Sequence, residues 1–312
     1  MMNLDEKTDA KKFLYDQEPF EIDSLTSAIA GLKKQVKDSR DQQYAYDTTT
    51  SRNGTYAYQL RYENTYTTKA KHLIFFDSLE NYEGDGKKSD WHGTLQSLDL
   101  SQLTDQGIAP TVYYSTKDHL VLENNHDLTN TNIWQVLDKN TDLSTVKAIA
   151  IDCSKKADGS EFILPEGGSL NAYIYMQAPD DVTGDTGRYL SAYNNVYLKD
   201  TLVDTNNNEQ TYFIHQDYTK VTLRITADIQ IHKQSTEDEN QSIEGAKYSL
   251  TGTSDYGTKV NITEETGQNG LATFEEIEKG TYTLKEVSSP SDWLLDKTEY
   301  QVVIDSKGHV TV

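Results

Sequence analysis

The chain has 312 residues, with 50 Asp and Glu against 29 Lys and Arg and a formal net charge of −21. That balance argues against nucleic acid or an anionic membrane surface as a partner, because both call for a basic face and no basic stripe is present. A single cysteine, Cys153, rules out an intrachain disulfide, and no run of about 18 apolar residues offers a membrane span.

Residues 1–20 are charged and aperiodic. From Ser24 the apolar residues Leu25, Ile29, Leu32 and Val36 recur at helical spacing behind the possible caps Asp23 and Ser24, which predicts a short amphipathic helix near 24–37. Residues 1–54 therefore read as a leading segment. From Thr55 the period changes to two, with Tyr56, Tyr58, Leu60 and Tyr62 alternating with smaller or polar residues. His72–Phe76 reads as a fully buried strand. Further strands are expected at Thr111–Ser115, Lys147–Asp152, Ser169–Gln177, Arg188–Lys199, Gln210–His215 and Lys220–Gln230, punctuated by Asn, Asp and Gly clusters. Abundant Thr and 21 Tyr suit pleated, half-exposed faces. The expectation is an all-β chain: a large β-sandwich over 1–226, then a smaller β-sandwich over 227–312. No Gly/Ser/Pro linker separates them, so the junction should be stiff.

The last module carries the sharpest signal. Lys233 ends the alternation Ile229-Gln230-Ile231-His232-Lys233, and Glu286 ends Gly280-Thr281-Tyr282-Thr283-Leu284-Lys285-Glu286. Both fall on core-facing positions, where a lone charge is costly unless it is paired or reacts.

These stretches, with Gly245-Ala246-Lys247-Tyr248-Ser249-Leu250, the glycine turn before Phe274, and Pro290 followed by Trp293, resemble the collagen-adhesin B-type (SpaA-like, prealbumin-like) module of Gram-positive surface adhesins and pilins. The resemblance implies an autocatalytic isopeptide bond, with Lys233 as the nucleophile and Glu286 as the proton shuttle. It places the Asn or Asp acceptor on a following strand, beyond Val312; Asp305 lies in a turn and is a poor candidate. A buried ion pair between Lys233 and Glu286 is the alternative outcome. More loosely, residues 55–226 resemble the large β-sandwich that precedes such modules. By that likeness Asn194 or Asn195 would be an acceptor, Lys69 or Lys71 a donor, and Asp77 the assisting acid.

Other chemistry is thinner. Asp180, Asp181 and Asp185 could form a calcium loop, since calcium takes several hard oxygens; solvated turn acids are the plainer reading. A thioester between Cys153 and Gln177 has no motif behind it. The seven His show no zinc spacing. Exposed Tyr and Trp could bind sugar or protein. The expected role is a cell-wall surface protein, extracellular and not an enzyme, that displays modules toward a host extracellular-matrix protein or glycan. The alternative is a secreted carbohydrate-active enzyme or carbohydrate-binding protein, which as an enzyme would need two carboxylates across a cleft.

Overall fold

The computed structural model describes residues 31–81, 83–84, 87–182, 190–238 and 240–312. The strands, in chain order, are β1 Leu32–Asp38, β2 Asp47–Ser51, β3 Thr55–Glu63, β4 Lys69–Asp77, β5 Glu83–Gly84, β6 Lys87–Lys88, β7 Thr94–Asp99, β8 Thr111–Ser115, β9 Gln135–Val136, β10 Ala148–Asp152, β11 Ile163–Leu164, β12 Ser169–Gln177, β13 Leu190–Val203 and β14 Glu209–Arg224. They continue as β15 Thr226–His232, β16 Lys247–Ser254, β17 Lys259–Glu265, β18 Leu271–Glu278, β19 Gly280–Ser288, β20 Glu299–Ile304 and β21 Val310–Thr311. A four-residue helix, α1, spans Ser101–Thr104.

The first fourteen strands build two principal sheets. One has the order β1-β3-β12-β7; the other runs β2-β14-β13-β4-β10-β8-β9, with β11 also paired to β4. Alternation along each strand sends one set of side chains between the sheets. Val36, Tyr58, Leu60 and Tyr62 from the first sheet meet Phe75, Ile149, Leu198 and Val221 from the second. The second sheet is covered on its outer face as well. There Phe76, Ala148, Ala150 and Tyr197 pack with Leu122 and Trp134. Covering both faces explains the unbroken apolar run in β4, where Phe75 and Phe76 serve different cores. His72, by contrast, is about half exposed, at φ 51°.

One expectation fails at the N-terminal edge. The helix near 24–37 falls partly on residues 24–30, outside the described residues. Residues 32–38 form a strand, β1, antiparallel to β3 from Leu32↔Tyr62 to Asp38↔Tyr56. The leading segment is thus part of the first sandwich from β1 onward: β1 lies at the edge of the first sheet and β2 pairs parallel with β14. Tertiary pairing decided the outcome. Leu32, Lys34, Val36 and Asp38 are all buried, which is period two.

The expected strands at 210–215 and 220–230 also join differently. A single strand, β14, runs to Arg224, and β15 starts at Thr226. The residue between, Ile225, is fully buried, and its carbonyl accepts from the Lys279 amide at 2.8 Å. Side chains from the first sandwich reach across the junction. Arg40 pairs with Glu276 at 2.9 Å, and Arg52 donates to the carbonyls of Ser306, at 3.2 Å, and Lys307.

The C-terminal part has its own core. A two-stranded sheet, β15-β18, packs on a five-stranded sheet, β17-β16-β19-β20-β21. Ile229, Phe274 and Ile277 meet Tyr248, Leu250, Tyr282, Val302 and Ile304 between them. Among the described residues, the edge of β15 away from β18 has no strand partner.

Candidate functional site: two buried lysine–carboxylate centres

The first centre lies between the sheets of the large sandwich. β1 points Lys34 inward between Leu32 and Val36, and the side chain is fully enclosed, as is Asp77 at the end of β4. The Lys34 ammonium donates to Asp77 Oδ2 and, at 3.1 Å, to the backbone carbonyl of Asn195 on β13. It also sits 4.3 Å from the centroid of the Tyr58 ring. Gln216 on β14 fastens the lysine backbone: its Oε1 accepts from the Lys34 amide, and its Nε2 donates to the Lys34 carbonyl at 3.1 Å. Asp77 is held from the other side, where Oδ1 accepts from the Leu79 amide at 2.9 Å.

β13 bulges against β14 between Asn194 and Val196. A bulge adds a residue and re-aims its neighbours. Both amide side chains of the Asn194–Asn195 pair consequently reach Ser78, whose hydroxyl donates to Asn194 Oδ1 at 3.3 Å and Asn195 Oδ1 at 3.4 Å. Asn194 is fully buried and its Nδ2 has no hydrogen-bond partner. Such an orphaned donor costs about 1–3 kcal/mol.

Burial brings the Lys34 pKa down to about 8, against the upward pull of Asp77 and Glu80. An enclosed amine can therefore shed its proton near physiological pH, which a nucleophilic lysine requires. Burial raises the pKa of Glu80, the second carboxylate near Lys34, while hydrogen bonds from Tyr56, Gly93 and Tyr58 oppose that rise.

The donors expected from sequence are elsewhere. Lys69 is exposed, and Lys71 pairs with Glu209 at 2.7 Å at the surface. Lys71 is six residues along β4 from Asp77, about 20 Å at strand spacing. The structure brings Asp77, Asn194 and Asn195 together, and the lysine beside them is Lys34, not Lys69 or Lys71.

The second centre joins β15 to β19. Lys233 Nζ donates to Glu286 Oε2 at 2.8 Å, with the lysine side chain 15% exposed and the glutamate 1%. The same oxygen accepts from the Asp296 amide at 2.8 Å, whereas Glu286 Oε1 is buried with no partner. Tyr248 lies in register with Glu286, and burial, reinforced by Glu286, pushes its hydroxyl up to about 12. Asp305 is occupied in a turn, accepting from the Lys307 amide at 2.7 Å and the His309 amide at 2.9 Å.

The remaining candidates do not converge. Asp180 and Asp181 are exposed, Asp185 lies outside the described residues, and no metal-holding group of His, Cys, Asp or Glu exists among the described residues. Cys153 is buried in the main core, with its thiol pushed up by burial. Gln177 instead gives its amide to the Asn53 carbonyl at 3.3 Å. Asp77, Glu80 and Asp200 are buried in the core of the large sandwich. Asp200 has the Tyr62 hydroxyl at 2.9 Å, and burial pushes it up to about 7. No helix among the described residues is long and apolar enough to cross a membrane.

Residues 227–312 match the SpaA family, described as a prealbumin-like fold domain, and this stretch is such a domain. No curated protein sequence matches the chain significantly. Among solved structures the chain is similar to BcpA, the major pilin subunit of Bacillus cereus, at 13% identity and TM-score 0.31, covering 88% of this chain and 67% of that one. It is similar to domains D2 and D3 of the major pilin SpaD from Corynebacterium diphtheriae at 13% identity and TM-score 0.31, covering 90% and 87%. The group B streptococcus pilus 2b backbone protein gives 16% identity and TM-score 0.26, covering 86% and 89%. At such identity and overlap these likenesses decide nothing about the chemistry of this chain.

Proposed function

We propose that this chain is a structural, load-bearing part of a Gram-positive cell-wall surface protein, adhesin- or pilin-like, whose modules are locked by internal Lys–Asn amide bonds. The observation that carries the reading is the first centre: an enclosed Lys34, a carboxylate in contact with it, and beside them a buried carboxamide whose Nδ2 lacks a partner. Neutral Lys34 Nζ attacks Cγ of Asn194 or Asn195, forming the C–N bond. Asp77 accepts the proton shed by the amine and returns it to the departing Nδ2, so that one ammonia leaves and Asp77 ends as it began. The carboxylate, the amine and the amide are held together by the fold, which supplies the proximity such a reaction needs.

The second centre supports the same chemistry at an earlier stage. Lys233 and Glu286 are in contact, Glu286 Oε1 has no partner, and among the described residues the neighbouring edge of β15 is open. A strand carrying Asn or Asp, added along that edge, would bring an acceptor to Lys233. Host matrix protein or glycan remains the proposed ligand class of the parent surface protein, and neighbouring modules its structural partners.

Intact mass tests the reading. The chain should weigh one ammonia less than its sequence, and Asp77→Ala should restore the full mass. Full mass in the unaltered chain would overturn it.

A further inference from the structure

The first centre contains a second carboxylate that the reaction above does not use. Glu80 is fully buried, three residues after Asp77. Its Oε1 accepts from the Tyr56 hydroxyl at 2.6 Å and the Tyr58 hydroxyl at 2.7 Å, and its Oε2 accepts from the Gly93 amide at 2.5 Å. The backbone is bent to deliver it: Leu79 and Glu80 both have positive φ, 45° and 72°. For residues other than glycine that conformation costs of order 1–3 kcal/mol each and persists where surrounding contacts enforce it.

Those contacts are dense. The Glu80 carbonyl accepts from the Ser89 hydroxyl at 2.7 Å and lies 3.0 Å from His92 Nδ1. Gly93 approaches so closely that a Cβ there would sit 2.1 Å from the Tyr56 hydroxyl oxygen. Tyr56 is edge-on to both Tyr58 and Trp91. Burial, with Glu80 beside them, raises both tyrosines well above their ordinary value, so both hydroxyls stay protonated and donate. The other face of this assembly is the Tyr58 ring, against which the Lys34 nitrogen rests.

We infer that Glu80 and Tyr58 form a positioning pair for the crosslink. Glu80 anchors the Tyr58 ring through its hydroxyl, and the ring holds the Lys34 nitrogen against Asp77 and the Asn194–Asn195 bulge. The ring is a fixed wall against which the neutral, reacting amine rests; over the protonated lysine it also attracts the charge, and so favours the protonated form. Among the described residues, the charged and titratable groups facing Lys34 are Asp77 on β4, Glu80 in the turn after it and Tyr58 on β3; β13 and β14 contribute the neutral Asn195 and Gln216. Because Glu80 adds negative charge, it also keeps Lys34 protonated to higher pH than Asp77 alone would. This proposal rests on the crosslink between Lys34 and the asparagine pair.

The test follows ammonia loss by mass over time, in the full chain made by cell-free synthesis at a series of pH values. Tyr58→Leu, which removes the ring, should slow bond formation about tenfold on the alkaline plateau, where Lys34 is neutral in both chains. Tyr58→Phe keeps the ring and loses only the hydroxyl contact, so it should slow the reaction about threefold. Glu80→Gln should slow it and also move the acid limb of the pH–rate profile to lower pH, a shift that a merely structural role would not produce. Tyr58→Phe carries the test if Glu80→Gln does not fold. Wild-type rate and acid limb in both Tyr58→Phe and Glu80→Gln would overturn the positioning role alone. A wild-type chain that keeps its full mass would overturn the crosslink, and this proposal with it.

Discussion

The two lysine–carboxylate centres use the same residue types in different states of completion. At the first, Lys34 is fully enclosed and has a carboxylate, an aromatic floor and an asparagine-bearing strand around it. At the second, Lys233 keeps some exposure, Glu286 has an unused oxygen, and among the described residues the adjacent strand edge has no partner. On the proposed chemistry, the difference is between a buried lysine set to react and one that is not. Enclosure removes the water that would keep the amine charged, and a fixed acceptor gives it somewhere to go. A lysine with a partner but no acceptor remains an ion pair, which is only weak evidence of stability.

Breaking the pair at each centre should separate them most strongly. On the proposed chemistry Asp77→Ala prevents the first bond, and it leaves an enclosed ammonium without its counter-ion; added to the uncrosslinked Asn194→Ala/Asn195→Ala chain, it should cost about 3–5 kcal/mol, measured by denaturant unfolding. A second effect concerns pH. In an Asn194→Ala/Asn195→Ala chain, Lys34 stays free, with a folded pKa of about 8 against 10.5 for an ordinary lysine. The unfolded chain then binds the extra proton between those values, so stability should rise as pH goes from 8 to 10.5, by roughly 2–3 kcal/mol. On the proposed chemistry the wild type is crosslinked and its Lys34 does not titrate, so it should lack this rise, and adding Lys34→Met to the double variant should remove it.

The second centre should respond less. Glu286→Gln keeps the side-chain shape, and Lys233 can still reach water, so we expect a loss of about 1–2 kcal/mol. A cost equal to that of Asp77→Ala would erase the contrast. Smallest of all, Glu276→Gln removes the exposed pair with Arg40 across the junction while leaving Arg40 on Asp38, and should change stability by no more than about 0.5 kcal/mol, with both centres unaffected.

Much of this was legible in the sequence, and the omissions have physical causes. Lys233 was visible because Ile229 and Ile231 keep strict alternation up to it. Lys34 has the same inward placement, between Leu32 and Val36, yet it was hidden. A spacing of four fits a strand and nearly fits a helix turn, and Lys33 and Lys37 beside it made the stretch look like the solvated face of a helix. Asp77, Asn194 and Asn195 stand out through the loose likeness of residues 55–226 to a preceding adhesin module and not through any periodic pattern; the structure places them beside one another. Glu80 left no periodic trace: it lies in a turn whose positive φ values come from the packing of residues 89–93 around it. The long β14 was read as two strands because polar Gln216, Asp217 and Thr219 interrupt its apolar positions, although Gln216 turns inward to hold Lys34.

The most direct test of the account is peptide mapping of the intact chain by tandem mass spectrometry. The account predicts a branched peptide in which the Lys34 segment is joined to the segment containing Asn194 and Asn195, lighter by one ammonia, and absent from Asp77→Ala. Recovery of both segments as separate, unmodified peptides would contradict it.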